Sequence, residues 1–332
     1  MTEPAVSIRD VSVRFTGANR QPVMAVEQVS LDVQPGDLLC LVGESGCGKT
    51  TLGKVMAGLV APTSGDLVVG GSSLVSLSRR DRREAIRRIQ YIHQDPYSSL
   101  IPGMRVAETL MAAMPRTLSR EKKRAEVARL LDSVGLDATE VADRFPNELS
   151  GGQRQRVSIA RALTVRPEVL VADEAVSMID AGLRVSILDS LKRVRDERHL
   201  AVVLITHDLG VASYFADEGR IAVMYLGRVV EIGPSQEIVK TPNHPYAKAL
   251  VAAAGAAASA TNRYLAASIA SEVPDPQDVP SGCPFHPRCA DRIPSVCTAQ
   301  YPQQITVGRT HVACHAVANA LNQQLNETGG RT

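Results

Sequence analysis

The sequence lacks a strong charge of either sign. Its 332 residues include 37 Lys and Arg against 35 Asp and Glu, so the formal net charge is only +2. A nucleic-acid-binding surface is usually accompanied by a marked basic excess, which this chain does not have. The arginines clustered between positions 79 and 88 have the pattern of a solvated helix face. We therefore expect no nucleic-acid partner.

The chain also lacks an apolar run long enough to cross a bilayer, and its start has no charged-then-apolar signal pattern. The Ala-rich stretch near 249–260 has small side chains and is too short. We therefore expect the protein to stay in the cytosol, where disulfides are rare. Its six cysteines then need another explanation.

Strand and helix patterns alternate along the first 255 residues, which predicts an α/β fold with a mainly parallel sheet. Residues 38–42, 169–172 and 201–206 are apolar runs typical of strands covered on both faces. The stretch from about 95 to 165 is mostly helical and predicts a subdomain. We place the α/β domain at 1–255 and a loop-rich, proline-rich tail at 256–332.

The strongest functional signal is the glycine-rich segment Gly43–Thr50 between a predicted strand and a predicted helix. Glycines let successive backbone N–H groups point at phosphates, and the helix start adds its positive end. Lys49 is expected to reach the outer phosphates, and the Thr50 hydroxyl to ligate Mg²⁺. Cys47 occupies a variable position, where we interpret it as a small filler and not a nucleophile.

Four polar side chains follow apolar strands and suit the chemistry of hydrolysis. Asp173 is placed to hold Mg²⁺, and the adjacent Glu174 to activate the attacking water as a general base. His207 follows the next strand and is expected to contact the terminal phosphate. The amide oxygen of Gln94 is a further candidate metal ligand.

A second phosphate-binding helix start is predicted at Ser150, which can cap the helix and leave backbone amides for an anion. Because the chain already has one phosphate loop, this second site suggests a nucleotide held by another chain. Two such chains facing head to tail would bury two ATP molecules.

In this order the motifs resemble those of ABC-transporter ATPase subunits, over roughly residues 5–235. The resemblance implies an ABC ATPase core with a mainly parallel sheet, an antiparallel β subdomain and a helical subdomain at about 95–165. It implies that Asp180 lies at the dimer seam and that Mg²⁺ is held by Thr50, Gln94 and Asp173. The implied ATP-binding residues are Phe15, Gly43, Ser45, Gly46, Cys47, Gly48, Lys49, Thr50, Thr51 and Gln94, with Ser150, Gly151, Gly152 and Gln153 binding the ATP of the opposing subunit. Phe15 would stack on adenine.

Segments 94–100, 148–156, 224–228, 244–246 and 282–289 resemble the dipeptide/oligopeptide importer branch of this family. That branch implies a peripheral subunit on the cytoplasmic face of the membrane, paired with a second ATPase that is usually a different chain. It also implies two transmembrane permease subunits and, indirectly, an extracytoplasmic peptide-binding protein. Residues 94–104 would line the groove that receives the channel's coupling helix.

Other functions remain open beside peptide import. The chain could be a weakly hydrolytic, nucleotide-binding regulatory partner, or the importer ATPase for nickel or another solute. A soluble ABC ATPase of DNA repair or translation is disfavoured, because only about a hundred residues separate the phosphate loop from residues 149–153. The chain departs from the family pattern at Ala175, at Met178-Ile179 and at Gly219, and none of these changes removes a group needed for hydrolysis.

Four cysteines in the tail indicate a metal site, because cytosolic thiolates in a short, loop-rich segment are typical metal ligands. The importer branch includes members whose equivalent cysteines carry a [4Fe–4S] cluster, and the gaps lack the CxxC pairs common in zinc sites. We expect such a cluster, with Zn²⁺ or unligated thiols as alternatives. Its ligands would be Cys283, Cys289, Cys297 and Cys314, with His286, His311 and His315 as substitutes that also fit ordinary surface positions.

Overall fold

The structure, a computed structural model, describes residues 3–16, 22–95, 99–177, 179–255 and 272–329. These residues form two compact units. The first unit takes the described residues of 1–9, 30–39 and 52–205, and the second takes those of 10–29, 40–51 and 206–332. Met178 and the segment 96–98, which belong to two of the sequence patterns above, lie outside the described residues.

Strands and helices alternate as the sequence predicts. The strands are β1 (Val6–Thr16), β2 (Pro22–Val33), β3 (Leu38–Val42), β4 (Ser64–Val69), β5 (Ser72–Ser73), β6 (Ile89–Ile92), β7 (Val169–Asp173), β8 (Ala201–Thr206), β9 (Arg220–Tyr225), β10 (Arg228–Pro234), β11 (Gln304–Val307) and β12 (Thr310–Ala313). The helices are α1 (Lys49–Met56), α2 (Arg79–Arg87), α3 (Val106–Ala113), α4 (Arg120–Ser133), α5 (Ala138–Val141), α6 (Gly151–Leu163), α7 (Ala181–Arg198), α8 (Leu209–Phe215), α9 (Ser235–Lys240), α10 (Pro245–Ala254), α11 (Pro294–Ala299) and α12 (His315–Gly329).

The first unit contains the parallel strands β6, β7 and β8, with β7 in the middle. Every residue of β7 and β8 is buried, as their continuous apolar sequences predict for strands covered on both faces. Residues 6–9 and 30–33 belong to a second sheet with the order β2-β1-β4-β5, in which β4 and β5 are antiparallel. The parallel strands all end at one edge, where β7 presents Asp173.

The predicted helical subdomain is present in the first unit, where α3, α4 and α6 pack on one another. The start of α4 is capped by a neighbouring residue, because the Ser119 hydroxyl accepts a hydrogen bond from the Lys122 N–H. Val127, Leu130 and Leu131 form its buried stripe. Residues 79–87 form the expected exposed arginine-rich helix, α2.

One of four apolar residues at helical spacing in α7 is not buried. Ile187, Leu191 and Val194 are fully buried, but Leu183 is 44% exposed. Leu183 lies in the first turn, beside the start of α6, where its Cδ1 is 3.3 Å from the position a Cβ on Gly152 would take. Leu183 therefore covers a helix start and does not enter the core.

The second unit contains the antiparallel strand order β11-β12-β10-β9. The tail was predicted to be loop-rich, and this is wrong for residues 304–329, which form the β11–β12 hairpin and α12. Strand β12 of the hairpin pairs with β10, with Glu231 opposite Val312. The two short strands of the hairpin therefore form the edge of a larger sheet. No helix among the described residues has both the length and the apolar character needed to cross a bilayer.

Candidate nucleotide-binding and hydrolysis site

The phosphate loop lies in the second unit, between β3 and α1. Two of its glycines are required by the close approach of other backbone atoms. A Cβ on Gly43 would lie 2.2 Å from the carbonyl oxygen of Met224, and a Cβ on Gly48 would lie 2.1 Å from that of Ala25. No side chain fits at either position, so only glycine allows the loop to follow this path.

Lys49 is 6% exposed and is bound to the loop itself. Its Nζ donates hydrogen bonds of 2.8 Å to the carbonyl oxygens of Gly43 and Glu44. Cys47 is buried beside it, and burial raises the pKa of its thiol, an effect that Lys49 opposes. A buried, protonated thiol fits the interpretation of Cys47 as a filler and not a nucleophile.

The other candidate nucleotide contacts of the second unit are accessible. Ser45, Gly46 and Thr50 are exposed, and Thr51 is half-buried in the first turn of α1. Phe15 is 45% exposed near the end of β1, so part of its side chain is accessible to a ligand. His207 is exposed directly after β8.

Asp173 lies in the first unit, at the end of β7, and is 6% exposed. The Tyr91 hydroxyl donates a 2.6 Å hydrogen bond to its Oδ2. Burial, with Asp173 as a second cause, raises the pKa of Tyr91 well above its ordinary value, so Tyr91 stays a donor at any working pH. Sequence reasoning missed Tyr91, because only the register of β6 against β7 brings the two residues together.

Glu174 is held by its backbone in the left-handed region, with φ +47. Its N–H donates to the carbonyl oxygen of Ile205, and its own carbonyl oxygen accepts from the Ser177 N–H and hydroxyl. Non-glycine residues rarely adopt this conformation, and such strain tends to occur at functional sites. Gln94 Nε2 donates to Glu174 Oε2 at 3.4 Å, which leaves the amide oxygen of Gln94 for a metal.

The helix start at Ser150 is built as a reciprocal cap. Ser150 Oγ accepts from the Gln153 N–H, and Gln153 Oε1 accepts from the Ser150 N–H. Gly151 and Gly152 carry no side chain over the remaining amides. Asp180, the N-cap residue of α7, is exposed and its carboxylate makes no capping hydrogen bond.

The four cysteines of the tail lie in one neighbourhood of the second unit. Burial raises the pKa of Cys283 to about 11 and that of Cys289 to about 12, and the thiols add to each other's shifts. Burial also raises the pKa of Cys314. Cys297 Sγ accepts a hydrogen bond from the Ile293 N–H.

These thiols do not fit the expected [4Fe–4S] or zinc site as they are arranged. Among the described residues, no three His, Cys, Asp or Glu side chains converge on a point that could hold a metal ion. The histidines considered as substitute ligands are engaged elsewhere: His286 at the carbonyl oxygen of Cys283, His311 at Thr306 and His315 at the carbonyl oxygen of Gln300. The metal site predicted from the sequence is therefore not supported by this geometry.

A glycine-rich loop between a buried strand and a helix start is typical of an α/β nucleotide-binding protein, and a carboxylate pair after a buried strand suits nucleotide hydrolysis. The chain matches the ABC transporter family over residues 26–177, and over residues 230–297 it matches the family described as "Oligopeptide/dipeptide transporter, C-terminal region". The chain belongs to the ABC transporter family and is one of its ATPases.

Two relatives cover nearly the whole chain. The Sinorhizobium fredii protein y4tS, whose name describes a peptide ABC transporter ATP-binding protein, is 43% identical over 90% of this chain and 84% of its own length. The Bacillus subtilis protein YkfD, named for oligopeptide transport, is 38% identical over 97% of this chain and 98% of its own length.

Solved structures confirm the predicted fold class. A dimeric structure of the ATP-binding cassette MJ0796 bound to ADP and Pi has a TM-score of 0.60 and 28% identity, covering 68% of this chain and 96% of its own. The Clostridium perfringens protein cbiO1 has the same fold, with a TM-score of 0.64, 24% identity and coverage of 71% and 91%.

Proposed function

We propose that this chain is the ATP-binding and hydrolysing subunit that powers import of dipeptides and oligopeptides through an ABC transporter. The observation that carries the proposal is the pairing of an ABC transporter match with an oligopeptide/dipeptide transporter C-terminal match in one chain. Relatives named for peptide transport, at 38–43% identity over at least 90% of this chain, support the same substrate class.

The residues of the phosphate loop bind the nucleotide in this proposal. When ATP binds, Lys49 Nζ leaves the carbonyl oxygens of Gly43 and Glu44 and binds the outer phosphates in their place. The new contacts with the phosphates replace the two hydrogen bonds that are lost. The glycine-rich backbone of the loop binds the same charge through its N–H groups, and Phe15 offers its exposed ring to the adenine. Ser45, Gly46, Cys47 and Thr51 complete the set of loop contacts.

Glu174 acts as the general base that takes a proton from the attacking water, which is worth about 10²–10⁴-fold in rate. Its fixed backbone and its contact with Gln94 support that role, because both restrict where the carboxylate can lie. His207 contacts the terminal phosphate. Thr50, Gln94 and Asp173 supply the oxygen ligands that Mg²⁺ prefers, and when bound that ion neutralises phosphate charge.

We place the second half of each ATP site on the opposing ATPase subunit. The amides at the start of α6, with Ser150 and Gln153, bind its γ-phosphate, and Asp180 lies at the seam between subunits. The reciprocal cap at Ser150 and the exposed Asp180, whose carboxylate makes no capping hydrogen bond, support this arrangement. So does the dimeric structure of the related cassette MJ0796.

The test is ATP hydrolysis by the purified chain. Glu174→Gln should bind ATP but hydrolyse it at least about 100-fold more slowly, because it keeps the shape and loses the base. Lys49→Ala should lose binding itself. Glu168→Gln, which alters an exposed pair with Arg88 in the same unit, is the matched control and should behave as the wild type. Equal turnover by Glu174→Gln and wild type would favour the alternative of a weakly hydrolytic regulatory partner.

The transporter partners and the cargo need a different test. We propose a second ATPase subunit, two transmembrane permeases and a location at the cytoplasmic face of the membrane, with residues 94–104 receiving a permease helix. Purification from membranes should recover the permeases, and uptake of labelled di- and oligopeptides should depend on Glu174. Uptake of nickel or another solute in place of peptides would refute the proposed cargo.

A [4Fe–4S] cluster on Cys283, Cys289, Cys297 and Cys314 remains a separate proposal. The four thiols interact with one another but do not converge on a point among the described residues, so the cluster requires them to move together on loading. Anaerobic purification followed by iron, sulfide and zinc analysis tests it. About four irons and four sulfides per chain would support the cluster, zinc alone would support the alternative metal, and a colourless, metal-free, active protein would refute both.

A further inference from the structure

Glu44, the second residue of the phosphate loop, is held at its backbone N–H, its carbonyl oxygen and its carboxylate. Its N–H donates a 2.9 Å hydrogen bond to the Tyr246 hydroxyl, and its carbonyl oxygen accepts from Lys49 Nζ. Its carboxylate is bound by Arg288, which belongs to the tail. A phosphate loop leaves the residue type at this position free, so the nucleotide-binding pattern alone does not explain a charged residue there.

The contact between Arg288 and Glu44 is a buried, bidentate ion pair. Nη1 of Arg288 lies 2.8 Å from Oε2 of Glu44, and Nη2 lies 2.9 Å from Oε1. The side chain of Arg288 is 3% exposed and that of Glu44 is 16% exposed. Two-point contact between an arginine and a carboxylate fixes orientation as well as charge.

Aromatic residues hold Arg288 in place on the second unit. Its Nη1 also donates a 3.2 Å hydrogen bond to the Tyr225 hydroxyl. Its guanidinium lies over the rings of Tyr225 and Phe285, 5.7 and 5.8 Å from their centroids. Phe285 in turn packs against Tyr246, so the residues that contact Glu44 also contact each other. The guanidinium is therefore pre-positioned before any nucleotide arrives.

The pair matters because nucleotide binding changes what surrounds Glu44. Lys49 must give up the Glu44 carbonyl to reach the outer phosphates, whereas Tyr246 and Arg288 hold Glu44 at other atoms and can stay in place. The same event brings a polyanion next to the Glu44 carboxylate. Like charges repel strongly where water is excluded, so an unpaired carboxylate there would weaken ATP binding.

We propose that Arg288 of the tail is a positioning residue for ATP binding, which acts by pairing with Glu44 and neutralising its charge beside the phosphates. The inference rests on the proposed ATPase function and extends it, because it gives the tail a role in the nucleotide site. Arg288 itself touches no substrate in this role. The tail thereby sets the ATP affinity of the loop.

The test compares KM for ATP, kcat and the Kd of a fluorescent ATP analogue across a double-mutant cycle in the full-length chain. Arg288→Gln should raise KM and Kd about tenfold, equivalent to about 1.4 kcal/mol of binding free energy, with kcat little changed. Glu44→Gln should leave KM near the wild-type value, because it removes the repelling charge. Glu44→Gln/Arg288→Gln should return KM to near that value, and Arg288→Lys should rescue it in part.

The matched control is Arg309→Gln, which breaks a pair of the tail with Glu237 whose arginine is 74% exposed. It should leave KM unchanged. If Arg288 were merely structural, Arg288→Gln would lower kcat through loss of active protein while KM stayed constant, and that result would overturn the inference.

The remaining outcomes also decide the question. If Arg288→Gln does not fold, the KM of Glu44→Gln for ATP becomes the deciding measurement. A tenfold rise in that KM would overturn the inference. Failure of the proposed function is distinguishable, because the wild-type chain itself would then neither bind nor hydrolyse ATP.

Discussion

Tyr91→Phe removes a single oxygen atom, and with it the hydrogen bond to Asp173. The ring, which packs edge-on against His93 at 4.9 Å, is kept. Asp173 is almost fully buried, so water can replace the lost donor only poorly. We expect this substitution to weaken Mg²⁺ binding while leaving the fold intact.

The expected size follows from two independent considerations. A hydrogen bond to a charged group contributes about 1.5–3 kcal/mol, which corresponds to roughly 10- to 100-fold in an equilibrium constant. Loss of a group that orients a metal ligand typically costs about 10- to 100-fold in metal affinity. Since the distance is a short 2.6 Å, the Mg²⁺ concentration for half-maximal activity should rise by about tenfold or more.

The assay is ATP hydrolysis titrated with free Mg²⁺ at saturating ATP. Tyr214→Phe is the matched control, because that tyrosine is 42% exposed in α8 and the substitution is chemically identical. A Tyr91→Phe enzyme with the Mg²⁺ dependence of the wild type would show that Tyr91 does not orient Asp173 for the metal.

Three further outcomes are expected. Phe285→Ala should lower the free energy of unfolding of the second unit by about 3–5 kcal/mol, since a fully buried ring beside Tyr225 and Tyr246 is lost, and hydrogen exchange would detect this locally. Gly48→Ala should abolish ATP-analogue binding with little loss of helix content, because its Cβ would overlap a backbone oxygen. Burial lowers the pKa of His244 from 6.5 to about 3, so its contribution to stability is complete above pH 6.5 and is lost as pH falls towards 3. In denaturant unfolding, His244→Gln should lose less free energy of unfolding than the wild type as the pH falls from 6.5 towards 3. An equal loss in the two proteins would contradict the lowered pKa of His244.

Patterns that act over short distances predicted most of the fold. The apolar runs of β3, β7 and β8 and the cap at Ser119 each depend on residues that are neighbours in sequence, so they could be interpreted without a structure. The phosphate loop and the reciprocal cap at Ser150 are local in the same way. This is why the candidate ATP residues could be proposed by number.

Contacts between distant residues could not be predicted in this way. Tyr91 reaches Asp173 only through strand register, and Arg288 reaches Glu44 across 244 positions. Arg288 lies in a proline-rich tail and Glu44 at a variable position of the phosphate loop. Nothing in the sequence around either residue indicates that the two form a pair. The expected metal ligand set failed for a related reason, since cysteine spacing indicates chemistry but does not fix where the thiols point.

The most direct test of the account is a structure of the ATP-loaded Glu174→Gln protein in its assembled transporter. The account predicts a triphosphate within hydrogen-bonding distance of Lys49 Nζ, and Ser150 of this chain in contact with the γ-phosphate held by the opposing ATPase. A structure in which Ser150 faces solvent, far from any nucleotide, would contradict it.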